Sequence, residues 1–290
     1  MKWIIALVAA AAVAQTPPAA PPKVLRIIRE VIRPGKAATQ EKTAALAARA
    51  VSRSKYPANF LAMTTVSGER EIWILESHDS FESIEHADAF VEKTPAVKWW
   101  LGQLEAQDSD GLSAMRRVLA TYRPDMSYRG DQFASSLPKM RYMSVAMVRL
   151  EPARDADFTE IVRMVSGAYE KISSDQPLVV YQVVSGLSTP AYLFFSPMVT
   201  LKTMDDAPLR GKAMREAMGQ ENGEKMLKTS AEVTAASESF LFTLNPRLSY
   251  VSKEFADVDP DFWMPKPPKP VVPPAALPGP PPSPAPAQPQ

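Results

Sequence analysis

The stretch TYRPDMSY (residues 121–128) returns as TLNPRLSY (residues 243–250), with Thr, Pro, Ser and Tyr in the same places. Other echoes stand in the same order along the chain. IRPGK at 32–36 matches LEPAR at 150–154, and Ser67-Gly68 matches Ser185-Gly186, both at an offset of 118. SFESI at 80–84 matches TLKTM at 200–204 at 120, and the octapeptides match at 122. Offsets that grow in small steps are what short loop insertions produce between two copies of one unit. A repeat of this length sets the architecture before any other reading.

Both copies predict the same elements. Residues 24–33 and 142–150 are apolar-rich strands ended by a proline. Residues 36–55 lack internal proline and are alanine-rich, which predicts a helix. Its partner spans 155–173, where Phe158, Ile161, Val162, Val165 and Tyr169 recur at helical spacing. Strands are predicted at 60–66 and 178–184, and a Ser-Gly turn leads from each into 71–76 and 191–195. Ser80 and Thr200 read as N-caps of following helices, and Thr94-Pro95 starts a further helix. Closing strands are predicted at 118–123 and 240–245, each stopped by the repeated proline.

Each copy therefore reads β-α-β-β-α-β with extra helix before the last strand, a ferredoxin-like unit. Such a unit carries helices on one sheet face and leaves the other to be covered. The prediction is an α+β fold in which two tandem ferredoxin-like units pack sheet-to-sheet as a pseudo-dimeric α/β barrel. On these features the chain resembles the dimeric α/β-barrel superfamily in tandem form. In the first strand, Leu25, Ile27, Arg29 and Val31 alternate with Arg26, Ile28, Glu30 and Ile32. If the more apolar set packs on the helices, Arg26 and Glu30 point into the barrel, where they need each other, wet surroundings or a ligand.

The first 14 residues, MKWIIALVAAAAVA, carry one charge, an apolar run and a small-x-small end. This reads as a signal peptide cut after Ala14, and hence as an exported, periplasmic or extracellular protein with no stable membrane span after cleavage. The alternative is an uncleaved N-terminal anchor. Residues 15–22 form a proline-rich spacer, followed by the repeats at 23–128 and 141–250, a linker at 129–140 and an extension at 251–264. In the tail, 265–290, 13 of 26 residues are proline, which predicts an extended or unstructured spacer rather than helix or sheet. The chain has 33 basic and 32 acidic side chains, and cleavage leaves 32 of each. That balance argues against nucleic acid as a partner. With no cysteine, disulfides, thiolate metal sites and cysteine catalysis are excluded.

Few residues offer chemistry. The two histidines, His78 and His86, both lie in WILESHDSFESIEHADAF (residues 73–90), near Glu76 and Asp79. An acidic residue ending the third strand, with a histidine about ten positions on, resembles the antibiotic-biosynthesis monooxygenase group of the superfamily. That resemblance covers about a dozen residues of the first repeat; the second has Ser196 and Asp206 at the matching places. It implies a cofactor-free oxidation of an electron-rich aromatic substrate in the barrel. His86 would then be the base or hydrogen-bonding group, Glu76 would orient it, and Trp73 and Tyr192 would line the cavity. The plainer reading puts His86 on a surface helix and Glu76 in solvent. Haem-binding tandem relatives take an axial histidine from the second half, and this chain has none after residue 86. The histidine spacing matches no metal motif, and no metal or cofactor is expected. The reading favoured is a non-catalytic exported protein whose barrel binds a small apolar or aromatic ligand or a protein partner. The alternatives are a cofactor-free monooxygenase or isomerase and a structural envelope component. The sequence leaves the oligomeric state open.

Overall fold

The computed structural model describes residues 20–265. The leader at 1–14, most of the spacer and all of the tail beyond Pro265 lie outside the described residues. The first repeat runs β1 (Val24–Ile32), α1 (Ala37–Arg53), β2 (Phe60–Thr65), β3 (Glu71–His78), α2 (Phe81–Lys93), α3 (Pro95–Gly111) and β4 (Leu112–Tyr122). A short helix, α4 (Gly130–Ser136), occupies the linker. The second repeat runs β5 (Tyr142–Leu150), α5 (Asp155–Lys171), β6 (Val179–Ser185), β7 (Ala191–Met198), α6 (Lys202–Asp205), α7 (Ala207–Met218), α8 (Gln220–Val233) and β8 (Thr234–Leu244). Two short helices, α9 (Lys253–Asp257) and α10 (Pro260–Trp263), follow.

The eight strands close into one barrel in the order β1-β3-β2-β8-β5-β7-β6-β4. Each repeat supplies four contiguous antiparallel strands, and the two sheets join edge to edge at β2·β8 and β4·β6. Closure leaves no free sheet edge. The repeated octapeptide locks these seams. Ser127 accepts from the Val180 amide at 2.9 Å while donating to the Arg123 carbonyl at 2.8 Å. Ser249 accepts from the Ala62 amide at 2.9 Å while donating to the Asn245 carbonyl at 2.7 Å. Tyr128 bridges Leu178 and Tyr250 bridges Phe60. Each octapeptide thus clasps the other repeat's second strand.

The barrel interior is filled by Leu25, Ile27, Met63, Trp73, Leu75, Val118, Met143, Val145, Tyr181, Leu193, Phe195 and Phe242. Phe133 of α4, Phe255 of α9 and Trp263 of α10 belong to the same cluster and plug one barrel end. The Trp263 indole donates to the Pro138 carbonyl at 2.6 Å, tying linker to extension. Between sheet and helices lie separate cores, Ile32, Ala44, Ala62 and Ile72 in the first repeat, and Phe158, Ile161, Val162, Val180 and Tyr192 in the second.

Three expectations are corrected. Arg26 and Glu30 face the helices, because the apolar set Leu25 and Ile27 fills the barrel instead. The closing strands begin at Leu112 and Thr234, six residues before the expected 118 and 240. Their first halves line the barrel rim and carry polar residues such as Arg116 and Glu238, so no apolar run marks them. Ser80 caps α2 with a reciprocal Ser80–Ser83 capping box, but Thr200 caps nothing: α6 follows Leu201 without a side-chain cap bond.

Candidate functional site

Strand alternation sends Arg29 and Val31 of β1, Glu71 of β3, Ala114 and Arg116 of β4, Met147 and Arg149 of β5, and Ala236 and Glu238 of β8 toward the unplugged end. All of these except Glu71 surround a cavity of about 320 Å³, completed by Leu187, Ser188, Ala191 and Ser237. That volume lies at the lower end for small-molecule sites. Its floor is a fixed polar-aromatic unit. Arg29 donates to both oxygens of buried Glu71, at 2.7 and 2.9 Å. The Trp73 indole donates to Glu71 at 2.7 Å. The Arg29 guanidinium lies 5.4 Å from the Trp73 ring centre and 4.8 Å from that of Phe240. Glu71 is thereby satisfied on three bonds, as a buried carboxylate requires.

Above this floor, Arg29 also lies 3.8 Å from Glu238. Arg116 and Arg149 enter no ion pair among the described residues. Arg116 sits directly opposite Arg29 across the β1–β4 rung. Three arginines and Glu238 line this cavity, and Glu71, buried behind its two bonds to Arg29, brings the local balance to one net positive charge against walls of Val31, Met147, Leu187 and Ala191.

The residues singled out from the sequence are dispersed. Trp73 does face the barrel interior. Tyr192 packs on the helix side with Phe158 and donates to Asp155 at 2.9 Å. Burial and Asp155 push its hydroxyl up to about 12. It borders a second cleft, of about 750 Å³, that lies open to solvent and is also lined by Arg123 and Arg163. Glu30 is buried at the β1–α1 interface, where Gln40 donates to it at 3.4 Å. His86 is exposed on α2, whereas Glu76 is sealed beneath that helix.

Glu76 and Arg26 face each other across the β1–β3 rung and form a two-bond pair, both contacts at 3.0 Å. Tyr56 donates to Glu76 at 2.8 Å, His78 contacts it at 3.0 Å, and Arg26 reaches Asp88 of α2 at 2.5 Å. His78 is anchored in turn by Ser83 at 3.1 Å. Burial alone would push the Glu76 carboxyl up, but bonds from His78, Arg26 and Tyr56 outweigh it and hold it below the ordinary range. Burial and the adjacent carboxylate push the Tyr56 hydroxyl up. Burial works against the Arg26 charge, and Glu76 overrides it. The histidine that meets Glu76 is His78, two residues along the same strand, so strand periodicity would have found it. The pair implied by resemblance, Glu76 with His86, does not converge in the barrel. Among the described residues no three His, Asp or Glu side chains group as a metal site, and no helix is long and apolar enough to cross a membrane.

The barrel has counterparts among solved structures. A candidate monooxygenase from Fusobacterium nucleatum subsp. nucleatum aligns at 10% identity and a TM-score of 0.49, over 77% of this chain and 93% of that one. An anthrone oxidase-like protein aligns at 11% identity and a TM-score of 0.47, over 77% and 92%. A chlorite dismutase from Candidatus Nitrospira defluvii aligns at 8% and 0.44, over 78% and 92%. No protein-family model and no curated protein matches the sequence. The closed ring of two four-stranded halves is itself the dimeric α/β-barrel architecture, built here within one chain.

Proposed function

We propose that this is an exported binding protein that holds a small molecule with an apolar or aromatic body in the open mouth of its tandem barrel. The observation that carries the reading is the cavity of about 320 Å³ at the one end not plugged by α4, α9 and α10. Deeper in the barrel, the buried side chains of Ile27, Trp73, Val145 and Phe242 pack together. Export rests on the leader-like residues 1–14. A catalytic role is less favoured, because His86 is exposed and Glu76 has spent its oxygens on Arg26, Tyr56 and His78.

Native mass spectrometry of protein isolated from its own envelope fraction tests this reading, beside a Leu187→Trp variant that fills the cavity. A retained small molecule in the wild type, absent from the variant, is the expected result. Wild-type protein that carries no ligand, and whose melting temperature no aromatic compound in a panel shifts, overturns the reading.

A further inference from the structure

We propose that the mouth selects a monocarboxylate: an apolar or aromatic body on the Val31–Met147–Leu187 wall, with its carboxylate held by Arg116 and Arg149. The inference rests on the barrel-mouth reading and adds the charge of the ligand.

The three arginines are not equivalent. Arg29 is already committed, with Glu71 on two bonds and two aromatic rings against its faces. Arg116 and Arg149 have no acidic partner among the described residues, and both project from inward positions of their strands toward the same cavity. Arginines that face each other across a rung, as Arg29 and Arg116 do, repel one another. An anion bound to Arg116 offsets that repulsion, Arg149 lines the same cavity, and the planar fork of guanidinium matches a carboxylate. The net charge limits the anion. Three arginines against Glu71 and Glu238 leave one positive charge, which a monoanion neutralises and a phosphate dianion overshoots. Glu238, on the rim and 3.8 Å from Arg29, works against binding of a second negative charge.

Isothermal titration of the full chain at low salt with 2-naphthoate and its neutral isostere 2-naphthamide tests this. The acid is expected to bind at least about tenfold tighter than the amide. The Arg116→Gln/Arg149→Gln variant should bring the acid down to the affinity of the amide and leave the amide unchanged. Glu238→Gln should tighten the acid alone. Both arginines are exposed, so the variant is expected to fold, and circular dichroism checks it; Arg149→Gln alone gives the same direction of change if the pair does not. Equal affinities for acid and amide in the wild type overturn the carboxylate inference while the barrel-binding reading stands. A preference for the acid that survives in the double variant overturns the assignment to these arginines. If neither compound binds, the carboxylate inference fails, and the native mass spectrum and the aromatic panel decide the barrel-binding reading separately.

Discussion

Under the helices of the first repeat, Arg26 meets Glu76 across the β1–β3 rung; in the second repeat the same rung pairs Ser144 with Ser196. Around the first pair stand Tyr56 and His78, and Glu30 lies further along β1 against Gln40. At the matching places of the second stand Ser174, Met198 and Val148. The barrel side differs in the same sense: Arg29, Glu71 and Trp73 correspond to Met147, Ala191 and Leu193. One backbone plan therefore supports a charged and an apolar interior. What the halves share is the seam, where Ser127 and Ser249 make the same two bonds. What joins the units is alike in both, whereas the Arg26–Glu76 and Arg29–Glu71 pairs belong to the first alone.

That contrast is open to test. Arg26→Ala strands the Glu76 carboxylate in a buried place and should cost about 3–5 kcal/mol, whereas Ser144→Ala should cost less than about 1 kcal/mol. Urea denaturation of the two variants compares them directly, and equal losses would break the contrast. The same cluster sets an acid dependence. Glu76 is held below its ordinary 4.5, so its contribution to stability is complete above that pH and is lost as pH falls through the lowered value. Glu76→Gln should flatten this part of the acid limb in a pH series of melting temperatures.

The two Ser-Gly turns sharpen the comparison further. A Cβ on Gly186, at φ +93°, would sit 2.0 Å from the Arg117 carbonyl oxygen at the β4·β6 seam; Gly68, at φ +82°, has open space. Gly186→Ala should therefore destabilise by more than about 2 kcal/mol, and Gly68→Ala by about 1 kcal/mol, the cost of its left-handed backbone alone. Ser127→Ala and Ser249→Ala each strand one backbone amide and should cost a similar 1–2 kcal/mol or so; unequal values would show that the seams have diverged. The smallest effect belongs to His86→Ala, expected within about 0.5 kcal/mol of wild type with naphthoate affinity unchanged.

The order of strands and helices was legible because both repeats carry the same periodicities, and β5 spans the expected residues, 142–150. The orientation of β1 was not. Alternation separates two faces, but this sheet is buried on both, under helices outside and against side chains inside. Counting apolar residues therefore cannot tell which face is which, and the rule put Arg26 and Glu30 on the wrong side. Trp73 was placed in the barrel, while its neighbour in the candidate set, Tyr192, lies one strand step out of phase with Leu193 and so faces α5. The mouth was missed because Arg116 and Glu238 sit in strand segments that read as polar and irregular.

The sequence alone determined the duplication, the element order within each copy and the alternation of the first strand in each, since these are local or repeated along one chain. The tertiary structure decided which phase became the interior, that the linker and the extension plug one end, and that the octapeptides clasp the opposite repeat. It also assembled the mouth, where Arg29, Arg116, Arg149 and Glu238 come from four strands spread across both repeats. Only closure of the barrel brings such distant positions to one rim, and no local pattern encodes that meeting.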